Sequence, residues 1–505
     1  MPITIVNSII SWFLKKRKHQ IELFLKYPED VQQELLFKLL STAKNTEFGK
    51  EYEFGTLKTY EDFAKQVPIQ KYETFEPLIE RCRRGEQNLF WPSTIRWFAK
   101  SSGTTNAKSK FIPVSDEALE YCHLKAGKDM LCLYINNNEN TQLFTGKGLR
   151  LGGSSAIHED NNSYFGDLSA IIIENMPFWA DFSSAPRQET ALMSEWETKM
   201  EAIIDETIQE NITSLVGVPS WMLVLLNRVL EKTGKSNILE VWPNLEVYFH
   251  GGVNFNPYRE QYKKLIPRRD FKYYETYNAS EGFFAIQDRN GSKELLLMLD
   301  YGIFYEFIPM TKYDGENSTA IPLSKVRTGV NYAVVITTNG GLWRYLIGDT
   351  VKFTSLHPYR IKITGRTKHF INVFGEELII ENTEEALRLA CEKTDATISD
   401  YTVAPIFMKG KNSGGHEWII EFAKKPANIH YFKEVLDNAL KSINSDYEAK
   451  RYNNMTLEIP IIHMAKNGLF YSWLKQKGKL GGQHKVPRLS NNRNFIEELL
   501  KLQNN

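Results

Sequence analysis

The first hundred residues carry their apolar side chains at helical spacing. Val31, Leu35, Leu36, Leu39 and Leu40 fall on one face behind Pro28, whose fixed φ suits a first helical turn. Residues 3–14 are also apolar, and the basic run Lys15, Lys16, Arg17, Lys18 follows them. A secretory signal has the reverse order, and the stretch is too short to cross a bilayer. It reads as an amphipathic helix with a solvated basic end. From about residue 95 the period changes. Short β-rich runs at 95–98, 245–249, 272–274, 294–298 and 333–337 predict strands, with helices at 202–209 and 220–230 between them. Strands alternating with helices predict an α/β architecture built on a substantial sheet.

Beyond Thr364, Gly365, Arg366 and Thr367 the rhythm resets. A strand at 370–373 leads to an acid-led helix at 382–390, then strand, helix and strand, and a basic glycine-rich segment near 478–488. The pattern predicts a large N-terminal domain over 1–366 and a small α+β domain over 367–505, roughly 130 residues and a normal domain size.

Composition narrows the function class. A chain of 505 residues exceeds what one core supports, and 42% hydrophobic with 24% charged residues is ordinary for a globular enzyme. A formal net charge of +1 gives no field for nucleic acid or an anionic membrane, which leaves small-molecule chemistry. No segment approaches transmembrane length. Cys82, Cys122, Cys132 and Cys391 show neither metal-ligand spacing nor a disulfide framework, so a reducing cytoplasm is expected, and a monomer.

Four strings carry candidate chemistry. Ser101, Ser102, Gly103, Thr104 and Thr105, with Lys110 after them, follow the 95–98 strand. Hydroxyls and backbone N–H groups around a glycine can converge on phosphate oxygens, and the lysine adds positive charge. The Gly-Lys-Ser/Thr ending of a Walker loop is missing, so alone the string reads equally as a solvated turn. Next, Tyr277, Asn278, Ala279, Ser280 and Glu281 form a loop after the 272–274 strand. Tyr277 could stack on a purine, and Glu281 could hold a divalent metal between phosphates. A core tyrosine beside an exposed acid would look the same. Asp349, just after Gly348 at a strand end, suits a ribose diol, though Gly-Asp is also a common turn. Arg366 sits in the turn between the two pattern regimes, where it could meet a phosphate, a ribose oxygen or an acidic neighbour. Taken in order, the strings supply a phosphate loop, a purine and metal site, a ribose anchor and a hinge.

At these residues the chain resembles the adenylate-forming superfamily and, more narrowly, the Gretchen Hagen family of acyl-acid amido synthetases. Ser101 to Thr105 with Lys110 is similar to the family's phosphate loop. Tyr277 to Glu281 is similar to its Tyr-x-Ser-Ser-Glu loop, with Ala279 in place of one serine. Arg344 to Asp349 is similar to its Tyr-Arg-x-Gly-Asp element, with Leu346 in place of the arginine. Gln483-His-Lys-Val-Pro-Arg488 is similar to its C-terminal Gln-Tyr-Lys-x-Pro-Arg. The resemblance implies a two-step reaction with ATP and Mg2+. A carboxylic acid becomes an acyl-adenylate, and an amino acid's amine then displaces AMP. It implies a catalytic role for Lys485 and Glu281, with Glu281 as metal ligand. It also implies a small domain that swings about a hinge at Lys368.

Two other readings share these motifs: an acyl-CoA ligase, and a nucleotide- or acid-binding homologue without catalysis. The string ending at Arg488 favours the amido synthetase over the first, and intact Glu281, Asp349 and Lys485 argue against the second. The acid's pocket is expected within 152–179 and 216–221, where Phe178, Trp179 and Trp221 would suit an aromatic or aliphatic chain. His123, His158 and His250 lack a partner pattern and read as structural.

Overall fold

The computed structural model describes residues 16–101, 110–152, 158–160, 163–177, 183–252, 255, 258–367, 371, 376, 378–407, 414–444, 447–448, 451, 457–479, 486–490 and 492–504. Its centre is a sheet in which twelve described strands follow one another, and the sheet has two halves. Lys147–Leu151, Ile212–Gly217, Val247–Gly251 and Lys272–Ala279 pair parallel. From Lys272–Ala279 onward, through Gly282–Ile286, Leu295–Leu297, Tyr359–Arg366, Tyr345–Leu356, Asn331–Thr338 and Ile303–Pro309, every pairing is antiparallel. The Val247–Gly251 strand shows why the parallel half reads as unbroken apolar sequence. Tyr248 enters the core beneath the Pro219–Thr233 helix, while Val247 and Phe249 enter a second core with Tyr134 and Ile135. A smaller sheet holds Trp97–Ser101 beside Lys110–Val114.

The helices Arg17–Lys26, Pro28–Ala43 and Tyr72–Arg83 lie along the antiparallel half, and Leu36, Leu39 and Leu40 are buried as their spacing predicts. Residues 3–14 lie outside the described residues. The basic run is not simply solvated, however. Arg17 Nε donates to Asp129 Oδ1 at 2.8 Å and Nη2 to Asp300 Oδ2 at 2.7 Å. The Asp129 side chain is 1% exposed, and a carboxylate that deep requires a cation.

Two further expectations change. The 272–274 strand extends to Ala279, so Tyr277, Asn278 and Ala279 are strand residues, and Ser280–Glu281 form the tight turn into Gly282–Ile286. Neighbours on both sides impose extended backbone on a string whose Asn and Ser suggest a loop. Asp349 is likewise inside a strand. It sits in Tyr345–Leu356 at a bulge, because Ala333 pairs with Thr350 while Val335 pairs with Leu346. Gly348 takes a φ of 86° there, a conformation open to glycine at little cost. A bulge of this kind re-aims a side chain.

The Thr397–Ile406, Gly415–Lys424 and Ile461–Met464 strands form a third sheet, covered by the Ile380–Thr394 and Ile429–Ile443 helices. The predicted 382–390 helix lies within the first of these. Of the predicted 370–373 strand only Ile371 is described, bridged to Leu378. One apolar cluster joins this region to the rest: Leu469, Phe470, Trp473 and Leu474 belong to the same core as Met222, Leu225 and Leu226. No helix among the described residues is long and apolar enough to cross a membrane.

Candidate active site

In open α/β sheets, ligands bind in the crevice outside the carboxyl ends of the parallel strands. Here the parallel strands end at Leu151, Gly217, Gly251 and Ala279, and all four ends open on one cleft of about 2120 Å³. That volume is well above the roughly 300–1,000 Å³ of a pocket for one small ligand, so the cleft has room for several reactants. Gly251 cannot carry a side chain. A Cβ there would lie 2.6 Å from Thr276 Oγ1, so only glycine lets these two strand ends pass.

Asp349 stands at the floor of the cleft with both oxygens held. Tyr277 donates its hydroxyl to Oδ2 at 2.8 Å, and Arg366 donates Nε to Oδ1 at 2.6 Å. Register explains the second contact, because Asp349 and Arg366 are direct cross-strand partners. The Tyr277 ring is buried and packs 4.8 Å from Phe284. The phenol fixes a carboxylate, while the residue also lines the cleft in which a purine would bind. Burial, reinforced by Asp349, holds that phenol far above the usual tyrosine range, so it stays a donor. The carboxylate beside Arg366 raises the guanidinium in turn.

Glu281 sits at the hairpin turn, and its Oε1 accepts from Tyr345 OH at 3.4 Å. Burial pushes its carboxyl upward, while Lys110 pulls it down. Ser280, beside it, buries a hydroxyl with no partner. A carboxylate at this turn suits a Mg2+ ion, which takes one or two carboxylates and fills its other positions with water and phosphate oxygens. Among the described residues no group of three or more acidic, histidine or cysteine side chains forms an all-protein metal cage. Ser101 pairs directly with Lys110, so their strands flank the 102–109 connection. Ser102, Gly103, Thr104 and Thr105 lie outside the described residues, as do Lys368 and Lys485.

Comparison with known proteins follows the same order along the chain. Residues 17–271 match the GH3 family N-terminal domain, 296–366 its central domain and 381–494 its C-terminal domain. The chain belongs to the GH3 family. An indole-3-acetic acid-amido synthetase of Arabidopsis thaliana, GH3.4, is 23% identical across 93% of this chain and 90% of its own. The solved structure of the GH3.15 acyl acid amido synthetase superposes with a TM-score of 0.79 at 18% identity, covering 97% of this chain and 96% of that one. A 2-hydroxyisobutyryl-CoA ligase holding 2-HIB-AMP gives 0.62 at 12% identity, over 94% and 92%. The fold is that of adenylate-forming enzymes.

Two features of this GH3 chain were not legible as site residues. Tyr345, which reaches Glu281, stands in the string similar to the family's Tyr-Arg-x-Gly-Asp element, but the string alone gives it no role of its own. Leu346, in place of the family's arginine, points the other way, into a core with Ile69, Ile308 and Val335. Gly152, Ile172 and Ile173 from the 152–179 stretch and Val216 and Trp221 from the 216–221 stretch line the same cleft. Phe178 and Trp179 are outside the described residues. His123 and His250 also line the cleft, and burial lowers them to about 4 and about 3, so both are neutral at physiological pH. His158 stacks on Phe165 instead.

Proposed function

We propose that this GH3 protein activates a small carboxylic acid with ATP as its acyl-adenylate and joins it to the amine of an amino acid. The observation that carries the reading is Asp349, clamped between Tyr277 and Arg366 on the floor of a cleft that also takes Glu281. In the first step a carboxylate oxygen bonds to the α-phosphorus and pyrophosphate leaves. In the second the amine nitrogen, its ammonium proton lost, bonds to the acyl carbon, AMP leaves with the electrons of the broken C–O bond, and the nitrogen's surplus proton passes to solvent.

Charge is the obstacle in the first step, since an anion must approach a polyanion. Asp349 anchors the ribose: a carboxylate has about four lone-pair sites, of which Tyr277 and Arg366 use two. Asn278, Ala279 and Ser280 edge the nucleotide, and Ser101 to Thr105 with Lys110 surround its phosphates. Glu281 holds Mg2+, which supplies positive charge to the phosphate oxygens. Lys485 adds a second cation from the 367–505 domain, turning about Lys368. Such a turn must carry or break the apolar core shared by residues 469–474 and the 219–233 helix. The acid's chain lies between Ile172, Ile173, Val216 and Trp221. The free thiols suit a reducing cytoplasm. A pyrophosphate-release screen of carboxylic acids, repeated with amino acids and with coenzyme A, tests the reading. Acid-dependent release with amide product supports it. Thioester product alone would make the chain an acyl-CoA ligase, and no release with any acid would end both readings.

A further inference from the structure

On the side of the cleft facing the C-terminal region the chemistry turns acidic. Glu275 stands on the Lys272–Ala279 strand, two residues before Tyr277 and on the same face. Glu384 comes from the Ile380–Thr394 helix, and both line the cleft. Glu384 is 6% exposed, and its Oε2 has no hydrogen-bond partner. Its neighbours are Arg488, Glu275 and Glu381. Arg488 is committed elsewhere: Nη1 donates to Asp400 and to the Tyr401 carbonyl at 2.9 Å, and Nη2 donates to Tyr258 OH at 2.9 Å. Arg259 lies over the Phe255 and Tyr273 rings and faces Glu275.

Among the described residues the cluster thus sets the carboxyl groups of Glu275, Glu384, Glu381 and Asp400 against the guanidinium groups of Arg259 and Arg488. Carboxyl groups outnumber the cations. A buried carboxylate without a partner is costly, and here burial raises Glu384 to about 8 and Glu275 to about 7. A cation that ionises this pair must be small enough to enter the cleft and must reach the acyl carbonyl. Two strand residues span about 7 Å, so a group held at Glu275 lies one short side chain from the Tyr277 position.

We infer that Glu384 and Glu275 form the subsite that binds the acceptor's ammonium group, with Glu384 the principal partner. The inference rests on the amide-forming reading above and names the residues that recognise its second substrate. An α-amino acid enters as its ammonium form, and the two carboxylates accept its N–H donors. Because one carboxylate comes from the Lys272–Ala279 strand and the other from the Ile380–Thr394 helix, the bound amine also bridges the two elements.

Hydroxylamine separates this role from a structural one. It is uncharged above neutral pH, needs no ammonium subsite, and traps an acyl-adenylate as a hydroxamate. With ATP and an acid substrate found in the screen, Glu384→Gln is expected to raise the KM for the amino acid at least about tenfold, the worth of one charge-assisted hydrogen bond. The same variant should form hydroxamate within about twofold of wild type, and Glu275→Gln should follow it more weakly. An unchanged amino-acid KM in the double variant overturns the subsite. So does a parallel loss of hydroxamate and amide, which would mark the pair as structural. A wild-type enzyme that makes hydroxamate but couples no amino acid overturns the amide reading and the subsite together.

Discussion

Tyr277 and Asp349, 72 residues apart in the chain, are joined by a 2.8 Å hydrogen bond from phenol to carboxylate. The bond crosses from the strand at which the sheet changes from parallel to antiparallel to the bulge that turns Asp349 into the cleft. Neither residue alone fixes the other's position. The hairpin holds Tyr277 in the core beside Phe284, and the register with Arg366 holds the second carboxylate oxygen. A carboxylate fixed at both oxygens is preorganised to receive hydroxyl donors without rotating.

Two substitutions test that arrangement by size. Asp349→Ala removes the ribose acceptor, and ATP is expected to bind at least about tenfold more weakly in a calorimetric titration. Tyr277→Phe removes one neutral donor and leaves the anchor. A loss of about 0.5–1.5 kcal/mol predicts about two- to tenfold weaker ATP binding. Equal losses from both would mean that Tyr277 contacts the nucleotide directly.

Glu281→Gln keeps shape and removes charge. Adenylation, followed as ATP–pyrophosphate exchange at saturating magnesium, is expected to fall on the order of 100- to 1000-fold. The fold should hold, because burial already disfavours the ionised acid at this turn. Normal exchange in the variant would remove the metal role from this residue.

Much of this site was legible because its chemistry is local. The string from Tyr277 to Glu281, Asp349 and Arg366 each stand where a strand delivers them to the cleft. What was not legible came from pairing between distant segments. Tyr277 to Ala279 read as a loop because their residue types favour turns, and only neighbouring strands on both sides hold them extended. Arg17 read as solvated because the carboxylates that bury it are 112 and 283 residues away. Glu275 and Glu384 are electrostatic neighbours lining one cleft, and no spacing in one sequence could pair them.

Stability should depend on pH through that acidic pair. Burial raises Glu384 to about 8 and Glu275 to about 7, above the ordinary glutamate value. An acid whose folded pKa is raised binds its proton more tightly in the folded state. Its contribution is present below the unfolded value and is lost as pH rises through the folded one. Glu384→Gln cannot titrate. Its Tm should match wild type at about pH 4 and exceed it increasingly toward about pH 8. A difference that stays flat across the window, or one that favours wild type at the alkaline end, would mean that Glu384 is paired in solution.

The two half-reactions separate the roles assigned to the two regions. Ser101, Tyr277, Glu281 and Asp349 belong to the portion before residue 367, whereas Lys485 belongs to the portion after it. If Lys485 meets the phosphates only during activation, Lys485→Ala should slow acyl-adenylate formation by roughly two to three orders of magnitude, the cost of one cation in a desolvated phosphoryl-transfer site. It should still couple a chemically supplied acyl-adenylate to an amino acid, because that step attacks carbon and builds no new phosphate charge of this kind. Rapid-quench assays of each step measure the two losses. Equal losses would place Lys485 in the fold or in both steps. The core shared by residues 469–474 and the 219–233 helix would then stay closed through the cycle, and the swing about Lys368 would be dropped.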